Sequence, residues 1–133
     1  LITQQQLQVI QVGDSQAALV RDGVMRSLTA EQQFEPNMPF QLNSNVPLPA
    51  SLVALYQWDL VPGDRVMLYS DGIGDNVWSR QLQKLAERGA GDVLAVARDQ
   101  ANGSLSTDIP FSFKMGWPLA GKMDDMTVIV ATV

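Results

Sequence analysis

Tyr69-Ser70-Asp71-Gly72-Ile73-Gly74-Asp75-Asn76 is the stretch on which the reading of this chain turns. It is entered by an apolar run, Arg65-Val66-Met67-Leu68-Tyr69, that reads as a strand. Further on, Gly121-Lys122-Met123-Asp124-Asp125 leads into a second such run, Met126-Thr127-Val128-Ile129-Val130-Ala131. Gly13-Asp14-Ser15 follows a third, Leu7-Gln8-Val9-Ile10-Gln11-Val12. Each places aspartate at a strand end in a stretch that contains glycine, which permits a tight turn. Carboxylates so arranged suit oxygen-ligand sites for hard cations such as magnesium or manganese.

Composition narrows the chemistry. The 133 residues allow one domain with a substantial core, and 46% hydrophobic against 17% charged residues suits a globular chain rather than a disordered one. A net charge of −5, with no run of Lys or Arg, gives no footprint for nucleic acid. No apolar run approaches the roughly 20 residues needed to span a bilayer. The chain has no cysteine and no histidine. Disulfides, thiolate chemistry, imidazole bases, serine–histidine triads and the usual zinc sites are therefore excluded. What remains is carboxylates, hydroxyls, Lys, Arg or a metal. The chain begins at Leu1 with no visible secretory or transit segment. The expectation is a processed, truncated or partly represented protein.

Strands are expected over residues 7–12, 16–21, 24–28, 52–60, 65–69 and 126–133. Asp22-Gly23 reads as a two-residue hairpin turn, because both positions of a type I′ turn need positive φ. The proline-bearing residues 29–51 read as a long ordered loop. Asn76 or Ser79 is expected to cap a helix carrying Trp78, Leu82, Leu85 and Ala86 on one face, ended by Gly89 and Gly91. Asp92 is expected to cap a second, with Val93, Ala97 and Ala101 at helical spacing. Residues 102–121 read as a connection with exposed aromatics Phe111, Phe113 and Trp117. The last run, apolar on both faces, is expected to be a buried strand. Helices grouped together, without strict strand–helix alternation, favour an α+β sandwich over a doubly wound parallel sheet. Each acid also has a plainer reading. Asp64, in Pro62-Gly63-Asp64, is a turn residue; Asp14 could bond its own backbone; Asp75 could cap a helix. Asp125 reads as a turn residue or a support to the neighbouring acids.

Taken in order, these acidic loops resemble those of the type 2C metal-dependent serine/threonine phosphatases. Arg26-Ser27, Glu31-Gln32-Gln33-Phe34, Asn37-Met38-Pro39-Phe40-Gln41-Leu42 and Pro62-Gly63-Asp64 resemble the organelle-targeted branch of that family. The resemblance runs from about residue 7 to the end and covers only the C-terminal half of the family domain. It implies a β-sandwich of two antiparallel sheets flanked by helices, in α-β-β-α layers, of which residues 1–133 would be the C-terminal portion. It implies that Asp71 and Asp124 are ligands of a Mn²⁺ or Mg²⁺ pair, with Asp75 and Asp14 contributing to a third ion found in several members. Two metals about 3.5–4 Å apart would activate a water to attack phosphorus in phosphoserine or phosphothreonine, with no protein nucleophile. Gln16 replaces a usual Arg, and Asp125 a common Asn; neither is a ligand position. The family's upstream ligands and its phosphate-binding Arg have no counterpart here. Activity is therefore expected to need the N-terminal half of the domain, or a partner covering open sheet edges. The alternative is a non-catalytic, phosphatase-like structural subunit of a larger assembly. A mitochondrial or plastid location is implied by the resemblance alone.

Overall fold

The computed structural model describes residues 1, 5–35, 38–39, 45, 47 and 49–133. A four-stranded antiparallel sheet, in the order β3-β2-β7-β8, forms the middle of the molecule. Its strands are β2 (Gln16–Arg21), β3 (Val24–Ser27), β7 (Arg65–Tyr69) and β8 (Val128–Thr132). A second antiparallel sheet pairs β1 (Gln6–Gln11) with β6 (Ala54–Asp59). A short ribbon joins β4 (Gln33–Glu35) to β5 (Met38–Pro39). Helices α1 (Asp71–Gly74), α2 (Ser79–Ala86), α3 (Ala90–Ala101) and α4 (Pro110–Met115) follow β7. The architecture is the expected α+β sandwich of two antiparallel sheets with helices outside.

Strand periodicity explains the layering, because successive side chains point to opposite faces. Ala17, Leu19 and Val66 face one way and join Leu7, Leu28 and Leu60 in a core between the sheets, with Val9, Trp58 and Val133 at its margin. Ala18, Val20, Met67 and Tyr69 face the other way. They meet Ile73, Val77, Leu82, Leu85, Val93 and Ala97 of the helical layer. β2 therefore reads as a nearly continuous apolar run because both its faces are covered.

The Asp22-Gly23 turn is as expected, with φ of 52° and 70° joining β2 to β3. Gly13-Asp14-Ser15, by contrast, carries the chain from one sheet to the other, since β1 pairs with β6 and β2 with β3 and β7. β8 is not buried on both faces: it lies at the sheet edge and Ile129 is 55% exposed. Asn76 caps no helix. Trp78 stands in the cap position of α2, and its backbone N–H donates to Gln81 Oε1 at 3.1 Å. Asp92 does not cap α3, which begins at Ala90; it sits in the first turn, facing the helix dipole and paired with Arg88. The connection 102–121 holds an unforeseen helix, α4, started by Pro110 and closed by Gly116 at φ 81°. Phe113 and Trp117 are exposed, whereas Phe111 is half-buried. Within 29–51 the described residues hold β4, β5 and a short 3₁₀ turn, Ala50–Leu52. Residues 37 and 40–42 of the Asn37–Leu42 stretch lie outside the described residues.

Candidate metal centre

β7 and β8 pair in register from Tyr69 opposite Val128 to Arg65 opposite Thr132. That pairing brings the loop after β7 beside the loop before β8, so acids far apart in sequence become neighbours. Ser70 fastens the two. Its backbone N–H donates to Thr127 O, its hydroxyl donates to Asp125 O, and the same hydroxyl accepts from Thr127 N–H, each at 3.0 Å. Asn76 fastens them again from within the protein, where it is fully buried. Its Nδ2 donates to Gly72 O at 2.8 Å and Lys122 O at 2.9 Å, while Oδ1 accepts from Lys122 N–H at 2.9 Å. This is almost the whole bonding capacity of a side-chain amide, spent on holding two acidic loops together.

The join is close enough to demand glycine at two places. A Cβ on Gly72 would lie 2.5 Å from Asp125 O, and one on Gly121 would lie 2.3 Å from Ala101 Cα and 2.4 Å from Gln100 O. Those glycines are required by the approach of neighbouring backbone rather than by turn geometry alone.

Asp71, Asp75 and Asp124 converge on a single point, the ammonium of Lys122. Lys122 Nζ is bonded to Asp71 Oδ2, stands 3.0 Å from Asp124 Oδ2 and 3.3 Å from Asp75 Oδ2. Asp75 is almost wholly buried and is also bonded to Lys114 of α4, which reaches Glu31 at 2.9 Å. Four carboxylates thus face two ammonium groups. Burial works against the charge on Lys122, but its bonds to Asp71 and Asp124 prevail and hold its pKa above the ordinary lysine value. Lys114 is raised in the same way, burial being outweighed by Asp75 and Glu31. The bond from Lys122 holds the Asp124 carboxyl below its usual value, against the opposing cost of burial.

Asp14 is not part of this group. It accepts a hydrogen bond from Gln33 Nε2 at 3.2 Å, on the side of the segment that holds Gln32 to Gly13. Gln16, where an Arg was the usual residue, bonds Glu31 at 2.6 Å and accepts from the Tyr69 hydroxyl at 3.0 Å. Burial, and then the charge of Glu31, push that phenol up to about 12. Asp125 contributes backbone bonds, as a supporting residue. Asn76, Lys122, Lys114 and Glu31 are the participants that sequence reasoning missed. A Lys two positions before Asp124 was the available signal for one of them.

The donor set suits a hard cation: all-oxygen, acidic, at strand ends, and already closed around a positive charge. Among the described residues no three acids form a compact metal-ligand cluster by themselves; Asp71, Asp75 and Asp124 are gathered around the Lys122 ammonium.

No family model matches the chain. Individual proteins do. Putative protein phosphatase 2C 24 of rice is 32% identical over 136 residues, covering 92% of this chain and 43% of that protein. The structure of the photosystem II phosphatase PBCP superposes with a TM-score of 0.81 at 26% identity, covering 96% of this chain and 59% of that one. The catalytic domain of the serine/threonine phosphatase PstP, solved with two manganese ions, shares the fold, with a TM-score of 0.62 at 21% identity over 73% of this chain and 49% of that one. The chain spans a little under half the length of the first relatives it matches. With ordered acidic loops, sandwich and relatives in agreement, the chain belongs to the type 2C (PPM) family of protein phosphatases.

Proposed function

We propose that this chain is the C-terminal portion of a phosphatase domain that hydrolyses phosphoserine and phosphothreonine in proteins, with Asp71 and Asp124 holding its metal ions and Asp75 adjoining them. The observation that carries this reading is the convergence of those three carboxylates on one cationic point. The two manganese ions of PstP support Mn²⁺ or Mg²⁺ as the occupants. Bound divalent cations supply polarisation of phosphate oxygens and a more acidic water. The protein's own residues position that chemistry: Ser70 and Asn76 lock the loops, and Lys114 fixes Asp75. With no Cys or His in the chain, no side chain of those types competes as nucleophile. Assignment of Asp14 to an additional ion rests on the resemblance alone.

Exposed apolar surface supports the need for the rest of the domain. Leu68 and Ile129, registered opposite one another, are 41% and 55% exposed on the face of the central sheet turned toward β1 and β6. Ile10 and Leu55 are a second exposed cross-strand pair, on the β1–β6 sheet. An upstream half carrying further strands and helices would cover both patches. A mitochondrial or plastid location belongs to the same proposal and is checked by imaging the tagged protein.

The test is Asp71→Asn in the whole protein, assayed on a phosphopeptide with Mn²⁺ and by calorimetric titration of the metal. Activity and metal binding should both fall on the order of a hundredfold or more, since even residues supporting metal ligands carry effects of about 10–100-fold. Full turnover in the variant would remove Asp71 from the metal site.

A further inference from the structure

The Lys122 ammonium occupies the point on which the three carboxylates converge, and this has a consequence for metal loading. Lys122 is only 14% exposed, and its contacts run to Asp71, Asp75 and Asp124 together. Its backbone cannot withdraw, because both its N–H and its C=O are bonded to buried Asn76. Only the flexible alkyl arm is free to move the charge. A divalent cation taking oxygens from the same three carboxylates would stand where the ammonium now lies. At that separation the two positive charges repel, and the acceptor lone pairs cannot serve both.

We propose that Lys122 is a tethered competitor for the metal. Its ammonium and a divalent cation are mutually exclusive occupants of the carboxylate set, and the lysine therefore sets the concentration at which metal loads. This rests on the metal-site reading above. Lys114, bonded to Asp75 and Glu31 from the other side, stays in place when Lys122 swings out, so Asp75 never faces the interior uncompensated. The device keeps three adjoining carboxylates from repelling one another and charges the incoming ion for the displacement. Apparent affinity is reduced by the fraction of time the site is free of the ammonium.

Calorimetric titration with Mn²⁺ of the unaltered protein, Lys122→Met and Asp71→Asn tests this. Lys122→Met should bind on the order of tenfold more tightly, the value for a site that the ammonium leaves about a tenth of the time, while Asp71→Asn should lose binding. Unchanged or weaker binding in Lys122→Met, beside loss in Asp71→Asn, would overturn the competitor role and leave the metal site standing. Absence of Mn²⁺ binding in all three proteins would overturn both. If Lys122→Met does not fold, Mg²⁺ titration of the unaltered protein with ¹³C-labelled lysine decides the matter. The Lys122 Cε signal should move toward that of solvent-exposed lysine in step with saturation. A signal unmoved at saturation overturns the proposal.

Discussion

The two ends of strand β7 hold acids in opposite ways. At its start, Asp64 is 1% exposed and meets a single cation: Arg21 donates through Nε at 2.7 Å and a terminal nitrogen at 2.6 Å, and Val61 N–H adds a third bond at 2.8 Å. One acid, one base and a bidentate fork make a closed, balanced set. At the other end, Asp71, Asp75, Asp124 and Glu31 share Lys122 and Lys114. That set is held by backbone and amide bonds and carries more acid than base. Balance suits a structural anchor; on the function proposed above, the excess of carboxylate, kept together by neighbouring hydrogen bonds, is the place for added cation. The same residue type, aspartate at the two ends of one strand, thus stands in two different settings, decided by its partners.

Asn76→Ala should produce the largest change in stability, because it strands Gly72 O, Lys122 O and Lys122 N–H in the interior. A loss of about 3 kcal/mol is expected from urea unfolding, with metal binding weakened in parallel as the loops separate. Stability kept within experimental error would show that Ser70 alone holds the join. Asp64→Asn should cost less, about 2 kcal/mol, because one side of its pair, Arg21, is partly exposed to water. It should leave Mn²⁺ affinity unchanged, which separates the anchor from the cation site.

The bond from Arg21 holds the folded Asp64 carboxyl below its ordinary value, with burial opposing. Its contribution is accordingly present above about pH 4 and is lost as pH falls through the depressed value. The difference between the unaltered protein and Asp64→Asn should shrink as pH is lowered through that range; a gap that widened there would reverse the sign. The smallest effect belongs to Arg80→Ala. Its pair with Asp108 is more than two-thirds exposed on both sides, so a change of about 0.5 kcal/mol or less is expected. A larger cost would point instead to the packing of Arg80 over the Trp78 ring.

Much of this was legible in the sequence, for stated reasons. Short apolar runs bounded by turn residues located β2, β7 and β8, and aspartates in glycine-containing stretches at their ends located the acidic loops. Only the resemblance to a known family singled out Asp71 and Asp124 among other Gly-Asp turns. What escaped was long-range. Asn76 reads locally as a helix cap, and only the pairing of β7 with β8 reveals that it clamps Lys122. Asp64 reads as a turn residue until Arg21, across the sheet, is brought to it. Short α4 was hidden among Gly, Ser and Pro, and with it went the reach of Lys114 to Asp75. Asp14 sits in the loop that the sequence singled out, yet its chain direction after β1 turns it toward Gln33.

The most direct test of the central claim is anomalous diffraction from crystals of the protein soaked in Mn²⁺. Manganese peaks within coordination distance of Asp71 and Asp124, with the Lys122 ammonium moved away from both, are the expected result. Peaks absent from that loop pair, with Lys122 still bonded to all three aspartates, would contradict the account.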